Sequence, residues 1–63
     1  MSADEIKQAV YKHPLLKPLQ VTDLEGSVII GTLTQFGPEE FMLNDVITGW
    51  PMKFRYDDVE AVA

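Results

Sequence analysis

A few side chains in this sequence have chemistry that could act on a ligand. Arg55 carries a planar guanidinium fork that suits a phosphate or a base edge. It could equally pair with Asp57, Asp58 or a carboxylate of a neighbouring subunit. Tyr56, Phe36 and Phe41 are aromatic and could stack on the bases of a single strand. Phe36 and Phe41 also fall in an apolar strand pattern, which makes core or subunit packing the simpler role. Trp50-Pro51-Met52 is an apolar cluster beside a turn, placed either to contact a neighbour or to cap the core. Two adjacent acidic pairs, Glu39-Glu40 and Asp57-Asp58, could in principle do acid–base work or hold a hard cation. Neighbours along a strand point to opposite faces, however, so turn chemistry explains these pairs better. His13 stands before Pro14, where an imidazole complements a helix C-terminus rather than serving as a base. No Ser-His-Asp order, glycine-rich phosphate loop or metal-ligand spacing occurs. The chain has no cysteine. These features imply a non-enzyme without metal or cofactor.

The elements that must position these residues can be read in order. Ser2 and Glu5 form a Ser-x-x-Glu capping box, and Asp4 and Glu5 sit where a helix dipole favours negative charge. Ile6, Ala9 and Val10 recur at helical spacing until Pro14 ends the run. The pattern predicts a helix over Ala3–Lys12, too short to be stable alone, so its apolar stripe must dock on something. A strand follows over Leu19–Asp23, then a tight turn at Glu25-Gly26. Val28–Phe36 is rich in β-branched residues and is interrupted by Gly31, the mark of a bulge or sharp bend. Gly37-Pro38 breaks it. Phe41–Leu43 is a third strand, ended by Asn44-Asp45 or carried through Val46 and Ile47 to a turn at Thr48-Gly49. Trp50–Tyr56 is a fourth, with Pro51 suited to an edge or first position. Asp57-Asp58 favours a tight 3₁₀-like turn before a last strand, Val59–Val62.

This order gives one domain over residues 1–63, with the helical segment at 1–13 and a small β-barrel or sandwich at 16–63. The chain has 63 residues, 46% of them hydrophobic, and a formal net charge of −5. The acidity argues against broad, sequence-blind affinity for phosphate backbones, although one local basic patch could still bind RNA. No apolar run approaches a membrane span, and the acidic N-terminus lacks the features of a signal peptide. These point to a cytoplasmic protein that does not use a membrane.

The spacing of these segments resembles the Sm-like family of Sm, LSm and Hfq-type proteins. Val21–Phe36 is similar to the first Sm motif, with Gly26 and Gly31 as its structural glycines and Leu33 and Phe36 at its apolar positions. Phe41–Asp45 resembles the following strand and its polar exit. Phe54–Val62 resembles the second motif. The resemblance implies an N-terminal helix followed by a five-stranded, strongly bent antiparallel barrel of the SH3-like kind. It also implies a homo-oligomeric ring, pentamer to heptamer, in which the fourth strand of one subunit pairs with the fifth of the next. Trp50, Met52, Phe54, Val59 and Val62 are then the expected interface residues.

The departures from the family bear on RNA. In RNA-binding Sm proteins an Asp and then an Asn of the loop after the second strand hold a base. Here the Asp position is Gly37, the loop is one residue shorter, and the Asn position falls on Glu40 or Phe41. The second motif keeps its Arg as Arg55 but has Tyr56 in place of Gly. The implied RNA-binding positions are therefore Arg55, Tyr56, Gly37 and Glu40, with only Arg55 matching in type. Two functions follow as expectations: a ring that binds single-stranded RNA, or a ring-shaped protein-interaction scaffold that has lost the base pocket. A monomeric SH3-like adaptor is a third.

Overall fold

The computed structural model describes residues Met1–Ala63. It consists of a helix α1 (Ala3–Lys12), five strands, β1 (Pro18–Asp23), β2 (Val28–Phe36), β3 (Glu40–Asp45), β4 (Pro51–Arg55) and β5 (Val59–Val62), and a 3₁₀ turn at Tyr56–Asp58. The capping box starts α1 as expected. Ser2 Oγ accepts from the Glu5 N–H at 3.2 Å, and Glu5 Oε1 accepts from the Ser2 N–H at 2.9 Å. Such a cap stabilises a helix by about 1 kcal/mol. His13 closes the helix, its N–H donating to the Val10 carbonyl. The ten residues of α1 hold because Ile6 and Val10 are fully buried.

The five strands form one antiparallel sheet in the order β4-β3-β2-β1-β5. The core lies between this sheet and α1. Leu19, Val21, Leu33, Phe41, Leu43 and Val59 come from its inner face, joined by Tyr56. Full burial of each aliphatic side chain contributes about 1.5–3 kcal/mol. Phe41 stacks between Phe54 and Tyr56, with ring centroids 5.5 and 5.4 Å away.

The sheet has to curl. In a flat sheet the four spacings between β4 and β5 would total about 19 Å. The chain from Arg55 to Val59 can span at most about 14 Å. Gly31 contributes to the tight packing this demands. A Cβ there would lie 2.8 Å from both the Leu43 Cβ and the Asn44 carbonyl oxygen. The bulge expected at Gly31 lies elsewhere: the register shifts between Leu33 and Gln35, and again between Thr22 and Asp23. Gly31 thus allows close strand approach without an inserted residue. At Gly26 the reason is conformational, since φ is +87° in the turn after β1.

The sheet is not closed into a barrel: β4 and β5 are the two ends of the strand order and do not pair within one copy. The physical reason lies in Tyr56. Its N–H bonds to the Glu39 carbonyl, and its hydroxyl donates to the Gly37 carbonyl at 2.7 Å. These bonds tie the linker to the β2–β3 loop, and Tyr56–Asp58 form a 3₁₀ turn instead of a tight reversal against β4. Tyr56 accordingly belongs to the 3₁₀ turn and not to the fourth strand. The third strand extends to Glu40–Asp45, and Val46–Gly49 form a turn rather than its continuation. No helix is long and apolar enough to cross a membrane.

Candidate functional site

The four residues aligned with an RNA pocket converge on one corner. Glu40 of β3 is the cross-strand partner of Arg55 of β4. Tyr56 follows Arg55 and ties the 3₁₀ turn to Gly37 in the β2–β3 loop. Two shallow clefts flank this corner. The larger, about 360 Å³, is lined by Phe36, Gly37, Glu40, Met42 and Lys53. The smaller, about 260 Å³, is lined by Asp4, Lys7, Glu39, Arg55, Tyr56 and Asp57. Both volumes are at or below the lower end for small-molecule sites.

The side chains at this corner differ in availability. Tyr56 is only 4% exposed, with its ring on Phe41 and its hydroxyl engaged, so it offers no open face to a base. Its phenol is pushed above the ordinary value, first by burial and second by the nearby Tyr11. Gly37 acts through its carbonyl, as the acceptor for Tyr56. Glu40 faces Lys53, with 3.8 Å between Oε1 and Nζ. Arg55 is exposed and has no carboxylate within ion-pair distance, since Lys53–Glu40 is the molecule's one side-chain ion pair. The neighbouring charges are mixed: Lys7 and Arg55 against Asp4, Glu39 and Asp57.

Sequence reasoning missed Lys7 and Asp4. Their place beside Arg55 follows from α1 packing on the 3₁₀ turn. The only local signal was the apolar stripe of the helix, which required docking but named no destination. Adjacent to the clefts, Phe36 packs at a tilt against Tyr11 of α1, with 4.6 Å between ring centroids. Phe41 is buried in the core. Asp57 and Asp58 lie within the 3₁₀ turn, and no cluster of metal-ligating side chains occurs. His13 Nε2 lies 3.2 Å from the Lys17 carbonyl, a contact that fastens the helix end to the segment before β1.

The expected interface residues divide in two. Val59 is buried in the chain's own core, and Phe54 packs against Phe41. Met52 and Val62 are half-buried, while Trp50 is 72% exposed. Trp50 and the neighbouring Ile47 sit on a rigid turn. Asp45 Oδ1 accepts from the N–H groups of Ile47 and Thr48, and Thr48 Oγ1 accepts from that of Trp50.

The two edges of the sheet have a definite polarity. Asp45 N–H donates to the Trp50 carbonyl and Tyr56 N–H to that of Glu39. Antiparallel strands alternate inward and outward backbone groups. Trp50, Met52, Phe54 and Tyr56 therefore bond inward, and Lys53 and Arg55 turn their N–H and C=O groups outward. On β5, Ala63 exchanges both bonds with Gln20, which leaves Val62 facing outward. The Glu60 carbonyl also lies free of β1 and accepts from the Met1 ammonium at 3.0 Å. The chain matches no protein-family model, no curated protein and no solved structure.

Proposed function

We propose that this chain is an Sm-like self-assembling protein, in which β4 of one copy pairs with β5 of the next to close a ring. One observation carries the reading. The strand order leaves two unpaired edges of opposite character, Lys53 and Arg55 along β4 and Glu60 along β5. Open edges invite strand addition. Like edges would bring lysine and arginine against their own copies, or Glu60 against Glu60. Unlike edges bring opposite charges together, so β4 prefers β5. That contact is head-to-tail, and head-to-tail contacts form rings when their rotation closes. A strand paired with β5 would take the place of the Met1 contact on Glu60.

Within such a ring the Arg55 corner is the place for single-stranded RNA. Arg55 makes no ion pair within its own copy and is exposed, and with Lys53 meeting the neighbour's Glu60 its fork stays available to a phosphate or base edge. The three carboxylates beside it keep the affinity local and modest. The second reading is a protein-interaction scaffold. It is favoured by the pre-formed turn that holds Ile47 at 91% and Trp50 at 72% exposure.

Mobility shift with U-rich and A-rich oligonucleotides separates the two. An RNA ring retards them at low salt, loses them as salt rises, and loses them on Arg55→Ala. No retardation at low salt leaves the scaffold.

A further inference from the structure

The two ends of β1 carry complementary surfaces. At its start, α1 and the following segment present Tyr11, Leu15 and Leu16 to solvent, together with Phe36. They are joined through the sheet. Leu16 N–H bonds to the Leu33 carbonyl, Leu33 leads into Phe36, and Phe36 packs at a tilt against Tyr11. Leu16 has φ +65°, the only non-glycine residue with positive φ, yet it is 72% exposed. That conformation is costly for a branched side chain. The cost yields no core burial for Leu16 here. Lys12 and Lys17 are exposed around this patch, and Lys7 lies over the Tyr11 ring.

At the other end of β1, the turn presents Leu24 at 61% exposure, with Asp23, Glu25 and Asp58 around it. The turn is rigid, since Asp23 Oδ1 accepts from the N–H groups of Glu25 and Ser27 at 2.9 Å each. One end is thus an apolar patch rimmed by lysines, and the other a projecting leucine rimmed by carboxylates. The strand between them sets them about 20 Å apart, so they cannot meet within one copy.

The charge balance follows the same division. Residues 1–22 hold three lysines and two carboxylates, a net of +1. Residues 23–63 hold Lys53 and Arg55 against eight carboxylates, a net of −6, and the two sum to the formal −5.

We infer that the Leu24 turn of one copy docks on the Tyr11–Leu16–Phe36 patch of a second copy, a head-to-tail contact directed along β1. Strand pairing through β4 and β5 runs across the strands, in the hydrogen-bond direction. The two contacts are therefore independent, and together they extend the assembly beyond a single ring. A head-to-tail contact that does not close grows without limit.

The test uses the full chain carrying Lys53→Pro. This change removes one outward N–H of β4 and the exposed Lys53–Glu40 ion pair, and leaves the backbone hydrogen bonds to β3 intact. In this background, light scattering at low salt is expected to show a mass that rises continuously with concentration. Leu24→Lys should weaken that association about tenfold or more, the loss expected when one leucine stays in water. Leu16→Gly should weaken it too while raising the melting temperature, because glycine accepts the positive φ. Lys17→Glu should abolish it, and mixing that variant with Glu25→Lys should restore the concentration-dependent growth, with the two variants alternating along the assembly. A Lys53→Pro chain that stays single at millimolar concentration overturns the inference. So does association unaffected by Leu24→Lys, or a patch that binds acidic apolar peptides but no copy of this chain. A wild-type chain that fails to form rings but still grows end to end would contradict only the edge pairing.

Discussion

The middle of the sheet and its two borders are built on different terms. In β3, Phe41 and Leu43 are essentially fully buried, and the strand has a hydrogen-bonded neighbour on each side. In β4 the residues facing the same core, Met52 and Phe54, are only half-buried, and in β5 Val62 is half-buried as well. Each border strand has one neighbour and one free side. Cohesion therefore rests on β1, β2, β3, α1 and the Val59 end of β5, while β4 and the Val62 end of β5 keep apolar surface and backbone capacity in reserve. A chain this short buries only about 60% of what its unfolded form exposes. Supplying the remainder by association is a common solution for small domains.

The contrast can be broken first at the centre. Phe41→Ala removes the ring stacked by both Phe54 and Tyr56 and is expected to cost about 3–5 kcal/mol. Urea unfolding would measure it, and a loss below that of a border residue such as Met52→Ala would erase the distinction. Gly31→Ala comes next. Its Cβ would meet the Asn44 carbonyl and the Leu43 Cβ at 2.8 Å, so the strands must part, at about 1–3 kcal/mol.

Tyr56→Phe should have a smaller effect, about 1–2 kcal/mol, from leaving the Gly37 carbonyl without its donor. The same residue sets a pH dependence. Its phenol is raised above its ordinary value in the folded chain. The folded state thus holds the proton more tightly than the unfolded one. The resulting stability is fully present below the unfolded value near 10 and is lost as pH rises through the folded value. Tyrosinate absorbance should show one tyrosine titrating late, and Tyr56→Phe should abolish that late step. At the acid end the sign is opposite. Hydrogen bonds from Ser2, first its backbone N–H and then its hydroxyl, lower the Glu5 carboxyl. The contribution of the capping box is present at neutral pH and fades as pH falls through the lowered value, so helix content should decline there.

Much of this architecture was legible along the chain because its signals are local. Ser2, Glu5 and Pro14 bound the helix, Glu25-Gly26 mark the first turn, and Asp57-Asp58 announce the 3₁₀ turn. The runs of β-branched and aromatic residues mark the strands. What was not legible depends on pairing between distant segments. The register shift at Leu33–Gln35 and the burial of Tyr56 under the β2–β3 loop are of that kind. So is the left-handed Leu16, since no residue type there announces a positive φ. At the candidate site, Arg55, Tyr56, Gly37 and Glu40 could be named from the resemblance. Their arrangement could not: burial turns Tyr56 into a strut and leaves Arg55 as the exposed group. Lys7 arrives from a helix whose docking face was readable but whose docking place was not.

The sharpest test of border pairing is native mass spectrometry of the wild-type chain beside Lys53→Pro. The substitution acts on a backbone N–H that points away from β3, so the fold and its melting temperature should change little. The account predicts that the wild-type masses are one closed ring and whole multiples of it, and that Lys53→Pro loses this ring unit. A wild-type chain that remains a monomer at micromolar concentration, or a closed assembly of unchanged mass in Lys53→Pro, would contradict it.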